Sequence, residues 1–370
     1  MNKTMKMIPL FKVFMPKSLK EPLWKTMMSG YIGQGPRVEE FEKILKKWIN
    51  NPYILTVNSG TSALHLAYHM CIEKPGDEII TTAMTCTATN TPIVNTKGAK
   101  IVWADVNPIT GLIDPIEIEK KITPRTKVIT MVHLGGNTPD IDKINRIAKK
   151  YNIKTVEDAA HGFGTLYKKR HLGNNTSDFV MHSLQAIKHI NSIDGGLLIC
   201  KNKKDYDRAK LLRWYGIERN IKSEDLRCEE DVVEAGYKFH MNDVCATVGI
   251  EMMKYADEII SKHRENAKYY DKNLKVDYVK ENPDCDSAYW LYTIHIKNGR
   301  RDEFMRYMLA HNIMASKVHA RNDTHTMFKE FKTNLPNLDK FYSSMICIPV
   351  GWWLTKKDLN YIVKTINNFQ

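Results

Sequence analysis

Short apolar runs alternate with segments of helical spacing between residues 53 and 200, and this alternation limits the folds that are open to the chain. The predicted helices in this region are Ser62–Cys71, Thr87–Asn95 and Ile141–Tyr151. The predicted strands are Tyr53–Val57, Glu78–Thr82, Lys100–Ala104, Lys127–Val132, Lys154–Val156, Phe179–Ser183 and Gly196–Cys200. A rhythm of strand, helix and strand implies an α/β fold with a mostly parallel sheet and helices on both faces.

The pattern changes beyond about Ala256. There the sequence predicts a strand over Tyr289–Ile296 and helices over Asp302–His311 and Lys357–Asn368. A chain of 370 residues has room for two domains. We therefore predict a large sheet domain over residues 1–255, N-terminal segment included, and a smaller α+β domain over residues 256–370.

The composition is that of a globular protein, with 43% hydrophobic and 26% charged residues. No apolar run approaches the roughly 18–20 residues of a membrane span. The N-terminus shows no pattern of a secretory signal. Seven scattered cysteines, none in a C-x-x-C pair, favour reduced thiols in a cytoplasmic protein and no metal site.

The net charge of +13 favours an anionic partner. The basic residues are spread along the chain and often mixed with acids, as in residues 39–47, and no basic helix carries interleaved aromatics. This distribution favours a solvated surface and a small phosphate-bearing substrate over a nucleic acid or a membrane.

Two loops are candidate phosphate sites. In Asn58–Ala63, Gly60 lets the backbone approach closely, and the hydroxyls of Thr61 and Ser62 and the amides of the helix N-terminus suit a phosphate. An ordinary capped turn explains the same residues. In Gly236–Asp243, Lys238 is either a second phosphate ligand or part of a loop before the predicted helix Val244–Met253.

An acid and a lysine follow two of the predicted strands. Asp158, with His161 nearby, closes one apolar run, and Lys188 lies in the Ser-x-x-Ala-x-Lys loop that starts at Ser183. Pyridoxal phosphate (PLP) needs a lysine for its aldehyde and a carboxylate for its pyridine nitrogen. Taken singly, each residue has a plainer explanation: Asp158 as a helix cap, His161 as a buried structural histidine, and Lys188 as a surface charge.

Further motifs surround these segments: Ser29–Pro36, Pro75–Ile80, Ile122–Lys127 and Asp194–Gly196. In their order and spacing, and over nearly the whole chain, the motifs resemble those of the DegT-type sugar aminotransferases. This is a PLP-dependent, fold-type I family that includes perosamine synthases and related nucleotide-sugar enzymes. The resemblance implies a fold-type I aminotransferase.

The resemblance also implies roles for individual residues. Lys188 would bind the cofactor covalently and move the proton, Asp158 would pair with the pyridine nitrogen, and His161 would lie near the ring's phenolic oxygen. Lys238 occupies the place of an Asn that reaches the phosphate of the neighbouring subunit's cofactor, which implies a homodimer with shared active sites. The phosphate ligands of the same subunit would be Gly60, Thr61, Ser62 and Ser183.

Three positions depart from the family pattern. Cys86 replaces the aromatic residue that commonly stacks on the cofactor ring, so that His161 takes over part of the stacking or the ring is held more loosely. Lys238 adds positive charge where Asn is common, and His240 stands where Arg is frequent. These departures concern the substrate more than the class of reaction.

The implied reaction takes an amino group from L-glutamate and gives it to a nucleotide-linked keto-deoxy sugar, a 4-keto-6-deoxyhexose or its 3-keto isomer. Tyr31, in the motif Ser29–Pro36, is a candidate for substrate binding. A second candidate region is Lys317–Asp323 together with Tyr289 and Trp290, in which His319 and Arg321 could meet a pyrophosphate or a carboxylate. A surface loop explains this region equally well.

Two other functions compete with this interpretation. A PLP-dependent sugar dehydratase of the same fold has histidine in place of the lysine in one branch, whereas Lys188 is present here, next to His189. Another dehydratase branch needs an iron–sulfur cluster, for which the scattered cysteines give no pattern. A PLP-binding regulator would need a DNA-binding or signalling module, and no helix-turn-helix or basic arm precedes the catalytic region.

Overall fold

The computed structural model describes residues 6–219 and 231–369. The α-helices of these ranges are α1 Lys20–Met28, α2 Pro36–Ile49, α3 Gly60–Cys71, α4 Thr87–Val94, α5 Pro115–Lys121, α6 Ile141–Lys150, α7 Lys203–Leu212, α8 Asp243–Met253, α9 Ala256–Asn273, α10 Arg301–Ala310, α11 Pro336–Ser344 and α12 Lys356–Asn367. The strands are β1 Ile54–Val57, β2 Glu78–Thr81, β3 Lys100–Trp103, β4 Thr126–Val132, β5 Lys154–Asp158, β6 Leu166–Tyr167, β7 Arg170–His171, β8 Phe179–Ser183, β9 Gly196–Cys200, β10 Asp277–Tyr278, β11 Cys285–Asp286, β12 Tyr292–His295 and β13 Met345–Ile348.

A seven-stranded sheet in the order β1-β9-β8-β5-β4-β2-β3 forms the centre of the fold. Neighbouring strands from β8 to β3 pair in parallel, whereas β9 is antiparallel to both β1 and β8. This arrangement confirms the predicted α/β class and its mostly parallel sheet. The strands are buried on both faces, which explains their nearly continuous apolar runs.

Local sequence explains where several helices begin and which face they bury. Ser59 caps α3 by accepting a hydrogen bond from the amide of Ser62, and Asn242 caps α8 in the same way. In α6, Ile141, Ile144 and Ile147 lie at helical spacing on the buried face. These helices thereby cover the sheet and position its loops.

The C-terminal part contains a second, three-stranded sheet in the order β10-β12-β13. The predicted strand 289–296 is shorter in the structure, because Tyr289 has a left-handed φ of 48° and lies in the preceding loop. Ile8 pairs with Ile313 and packs in the C-terminal core, so the first described residues join this part. The domain boundary at residue 255 stays a prediction. Among the described residues, no helix is long and apolar enough to cross a membrane.

Candidate active site

The candidate residues converge at one edge of the central sheet. Strands β1, β5 and β8 end at Val57, Asp158 and Ser183, and β9 begins beside two of these ends, with Gly196 opposite both Val57 and Ser183. Since the carboxyl ends of parallel strands share one edge, the loops that follow them face a common crevice.

The turn before α3 is packed tightly against the start of β9. A Cβ atom on Gly196 would lie 2.5 Å from the amide nitrogen of Gly60 and 2.6 Å from the carbonyl carbon of Ser59. A Cβ atom on Gly60 would come within 3.2 Å of the Cβ of Ser183. Glycine at both positions therefore brings the helix N-terminus against Ser183, a predicted partner of the same phosphate.

Hydroxyl groups surround this turn. Ser59 Oγ and Ser62 Oγ are 2.9 Å apart, and Ser62 Oγ donates to the Asn58 side chain at 2.6 Å. Thr61 is exposed in the first turn of α3. Hydroxyls together with the unpaired amides of a helix N-terminus form a donor set that fits a phosphate group.

Asp158 is buried at the end of β5, where its carboxylate accepts two hydrogen bonds. Thr89 Oγ1 donates to Oδ2 at 2.6 Å, and the backbone amide of Ala160 donates to Oδ1 at 3.0 Å. Thr85 Oγ1 lies 2.7 Å from Thr89 Oγ1 and extends the chain of hydroxyls. Burial raises the pKa of Asp158, an effect that both hydrogen bonds oppose. A buried carboxylate of this kind is suited to a cationic partner.

Lys188 lies in the loop between β8 and β9, at the same sheet edge as Asp158. The backbone amide of Lys188 donates to the carbonyl of Gln185, and the neighbouring His189 contacts the carbonyl of Ala288 through Nε2. Burial lowers the pKa of Lys188 to about 8, against the attraction of Asp158 and Cys86. A substantial fraction of the amine is therefore neutral near physiological pH, as a nucleophile or a base requires.

His161 and Trp290 stack beside the lysine. Their ring centroids are 3.9 Å apart, and the His319 ring lies 5.6 Å from His161 in a nearly parallel plane. His161 Nδ1 accepts a hydrogen bond from the amide of Gly135, which leaves the proton of the neutral ring on Nε2. Burial and the Lys188 charge lower the pKa of His161 well below its ordinary value, so the ring is neutral.

Of three residues predicted to bind substrate, the structure places only His319 beside Lys188 and His161; Arg321 and Tyr289 make other contacts. His319 belongs to the cluster, and its buried Nε2 has no hydrogen-bond partner among the described residues. Arg321 instead forms a bidentate ion pair with Asp323 and a second pair with Asp339, so its guanidinium is already occupied. The Tyr289 ring packs with Tyr292 in the C-terminal core, and the adjacent Trp290 contacts the lysine in its place.

Two further predicted residues lie on a neighbouring surface. Tyr31 is exposed, and its loop is fixed to the 236–243 loop because the amide of Gly35 donates to Asp243 and the amide of Asp243 donates to Gly33. Lys238 is exposed, while its carbonyl accepts from Asn58 at the edge of the candidate phosphate turn. Tyr31 and Lys238 thus lie on adjoining loops.

Thr89 was not predicted from the sequence, and Trp290 was not separated there from Tyr289. Thr85 and Thr89 are four residues apart in a buried, threonine-rich stretch, and this spacing is a signal for a polar face directed at the site. Cys86, between them in sequence, is partly buried, and its thiol lies close enough to Lys188 to influence its pKa.

Comparisons with known proteins give a consistent result. The family described as the DegT/DnrJ/EryC1/StrS aminotransferase family matches residues 16–367. The structure is similar to that of AtS13 from Actinomadura melliaura, with a TM-score of 0.94, 38% identity and coverage of 99% of both chains. It is also similar to the sugar aminotransferase CalS13 from Micromonospora echinospora, with a TM-score of 0.94, 35% identity and coverage of 98% and 100% of the two chains. GDP-perosamine synthase from Escherichia coli O157:H7 is 29% identical over 99% of both chains.

Proposed function

The chain belongs to the DegT/DnrJ/EryC1/StrS aminotransferase family, and from this premise we propose that it aminates a nucleotide-linked keto-deoxy sugar, with L-glutamate as amino donor and PLP as cofactor. The acceptor we propose is a nucleoside-diphosphate 4-keto-6-deoxyhexose. The observation that carries the proposal is the convergence of Lys188, Asp158 and His161 at the sheet edge, beside the hydroxyl-rich turn before α3.

The residues present fit PLP. When bound, PLP supplies an aldehyde that takes up the amino group and a ring that accepts electrons when the donor carbon loses its proton. The donor set at Gly60, Thr61, Ser62 and Ser183 would hold the phosphate. The packing of Gly60 against Ser183 supports this assignment, since it leaves no space for a side chain in the turn.

Lys188 would bind the cofactor covalently and carry protons at Nζ. Burial lowers its pKa to about 8, so the amine can accept a proton and return it near neutral pH. Asp158 would keep the pyridine nitrogen protonated, and Thr89 would orient its carboxylate. His161 would donate from Nε2 to an oxygen of the cofactor, because Nδ1 is already engaged by the amide of Gly135.

Sugar recognition would involve residues above the same crevice. His319 has a buried Nε2 without a described partner and lies beside His161, which supports a contact with substrate. The pairing of Arg321 with Asp323 and Asp339 argues that this arginine shapes the loop and that its charge is not free for a pyrophosphate. The net charge of +13 favours a substrate with a diphosphate in general terms.

A homodimer with shared sites is part of the proposal. Trp24, Met27, Met28, Tyr31 and Ile32 are each between 50 and 65% exposed on and just after α1, and together they form an apolar surface that a second copy would cover. This surface adjoins the loop of Lys238, which would then reach the cofactor phosphate of the partner subunit. A cytoplasmic location is also proposed.

The sugar dehydratase of the same fold is not favoured by these findings. CalS13 and the matched family both carry the name of aminotransferases, and Lys188 is present where one dehydratase branch has histidine.

Absorption spectra of the purified protein test the proposal. We expect a PLP band at about 400–430 nm that moves to about 330 nm when L-glutamate is added, and we expect no such shift with Lys188→Ala. A nucleotide keto sugar should then restore the first band and yield an amino sugar detectable by mass spectrometry. A wild-type band that glutamate leaves unchanged would favour the dehydratase or another donor, and the lack of any band after reconstitution would contradict the roles of Lys188 and Asp158.

A further inference from the structure

One large side chain in the site has no role in the proposed reaction. Trp290 is 4% exposed, and the Lys188 ammonium nitrogen lies 3.7 Å from the centroid of its ring. Within residues 6–219 and 231–369, Nζ forms no ion pair and no hydrogen bond with a side chain or a carbonyl. The indole face is therefore the contact that fixes where the amine rests.

The indole is held rigidly in this position. Its Nε1 donates to the carbonyl of Ile187, the residue before the lysine, at 3.0 Å. Phe11 stacks on the ring at 4.6 Å and His161 at 3.9 Å. Because the ring is hydrogen-bonded to the residue next to Lys188, the loop itself determines the distance between the indole and the amine.

A rigid aromatic face can bind an ammonium group through a cation–π interaction. The face of a tryptophan ring attracts a cation, most strongly when water is excluded. A lysine side chain has high rotamer entropy and would otherwise sample positions outside the crevice. In a transaminase the lysine is free of the cofactor during the part of each cycle in which the cofactor carries the amino group.

We propose that Trp290 is a positioning residue whose indole face holds the Lys188 ammonium beside the cofactor whenever the lysine is not bound to it covalently. The inference rests on the proposed function and adds a residue to it. Five other groups act on Lys188: Asp158 and Cys86 favour its ammonium form, and three histidines disfavour that form when protonated, His161, His189 and His319. The indole does not titrate, so its attraction depends only on whether Lys188 itself is protonated.

Capture of PLP by the cofactor-free enzyme is the test. The rate at which the band at about 420 nm forms is measured for wild type, Trp290→Leu and Trp290→Phe across pH, together with KM for the nucleotide sugar. After correction of the rate for the fraction of neutral amine at each pH, we expect the leucine variant to capture PLP at least about tenfold more slowly, because the Lys188 side chain loses the face that holds it in place. The phenylalanine variant, which keeps a face but lacks Nε1, should fall between the two.

A pH profile separates positioning from packing. The indole face favours the ammonium over the neutral amine, so the apparent pKa of the capture reaction should fall in Trp290→Leu and recover partly in Trp290→Phe. Phe11→Leu removes one neighbour of the indole but keeps the indole face against Lys188, so it serves as the packing control and should shift the apparent pKa less than Trp290→Leu does.

Each other outcome overturns the inference. Equal capture rates and profiles in all variants would show that the indole does not position the lysine. A change confined to KM for the sugar would make Trp290 a substrate contact, and equal losses in both variants with a lowered thermal midpoint would make it a packing residue. If wild type itself shows no band that depends on Lys188, the proposed function fails, and this result is distinct from all of these.

Discussion

Thr89 Oγ1, in helix α4, donates a 2.6 Å hydrogen bond to Asp158 Oδ2 at the end of strand β5. Asp158 sits in a buried environment that raises its pKa, and this hydrogen bond acts in the opposite direction because it stabilises the ionised form. The ionisation of the residue proposed to face the pyridine nitrogen therefore depends on a threonine that carries no charge.

Thr89→Val should raise the lowest pH at which the protein still binds PLP. Removing a donor to a carboxylate raises its pKa further, so a higher pH is needed to ionise Asp158. A hydrogen bond to a charged group contributes about 1.5–3 kcal/mol, which corresponds to a shift of about one pH unit or more. PLP affinity measured by absorbance between pH 5 and 9 would show the shift. Thr89→Ser should behave as wild type, and an equal shift in the serine variant would contradict the assignment.

The close approach of the turn before α3 to strand β9 gives a second prediction. Gly196→Ala would place a methyl group 2.5 Å from the Gly60 amide nitrogen, so the turn must move and the proposed phosphate donors with it. We expect at least about a tenfold loss of PLP affinity and a lower thermal midpoint, since overpacking costs about 1–3 kcal/mol. Gly33→Ala, where nothing lies within 4 Å of the added methyl, is the matched control and should bind PLP normally.

The sequence predicted the central sheet well because buried parallel strands leave a simple signal. Short, largely apolar runs such as Phe179–Ser183 and Gly196–Cys200 correspond to whole strands in the structure. The direction of β9 was not predictable, since an apolar run of five residues reads the same in either orientation. The membership of Ile8 in the C-terminal core was equally hidden, because it depends on a pairing with Ile313 across 305 residues.

In the candidate site, too, local sequence predicted some features, whereas others depend on contacts between residues that are distant in sequence. Lys188, Asp158 and the turn at Gly60 could be named as candidates because local sequence motifs carry them. The roles of Thr89 and Trp290 could not be separated from those of their neighbours, since they depend on the direction in which side chains point in three dimensions. Tyr289 and Trp290 are adjacent in sequence. The left-handed backbone at Tyr289 nevertheless places their side chains in different hydrophobic clusters. The pairing of Arg321 with Asp339, 18 positions away, was likewise outside local patterns.

Mixing two defective variants would test whether Lys238 acts across a dimer. If the site combines Lys188 of one subunit with Lys238 of the other, a heterodimer of Lys188→Ala and Lys238→Glu contains one site with both defects and one intact site. We expect each variant alone to be nearly inactive, the second because a carboxylate repels the phosphate. After denaturation and joint refolding, roughly a quarter of wild-type activity should return, since half of the dimers are mixed and each has one working site. Activity that stays absent in dimers of confirmed mixed composition would place both residues in the same subunit's site.

Buried histidines should make the protein sensitive to mild acid. Burial lowers the pKa of His182 and of His263 to about 4, whereas the unfolded chain takes up these protons near pH 6.5. The unfolded state therefore binds more protons than the folded state between these values, and stability falls as the pH drops from about 6.5 toward 4. For one such histidine the loss at pH 5 is about 2 kcal/mol.

The variant His182→Gln isolates this contribution, because glutamine is neutral and its amide can donate to the carbonyl of Ala159 or Leu172, which the imidazole contacts now. We expect the thermal midpoint to be lower than that of wild type at pH 7, and the decrease between pH 7 and pH 5 to be smaller than in wild type. His325→Gln, outside the buried core, should leave the decrease unchanged. If His182→Gln loses as much stability in acid as wild type, protonation of this histidine does not drive the acid response.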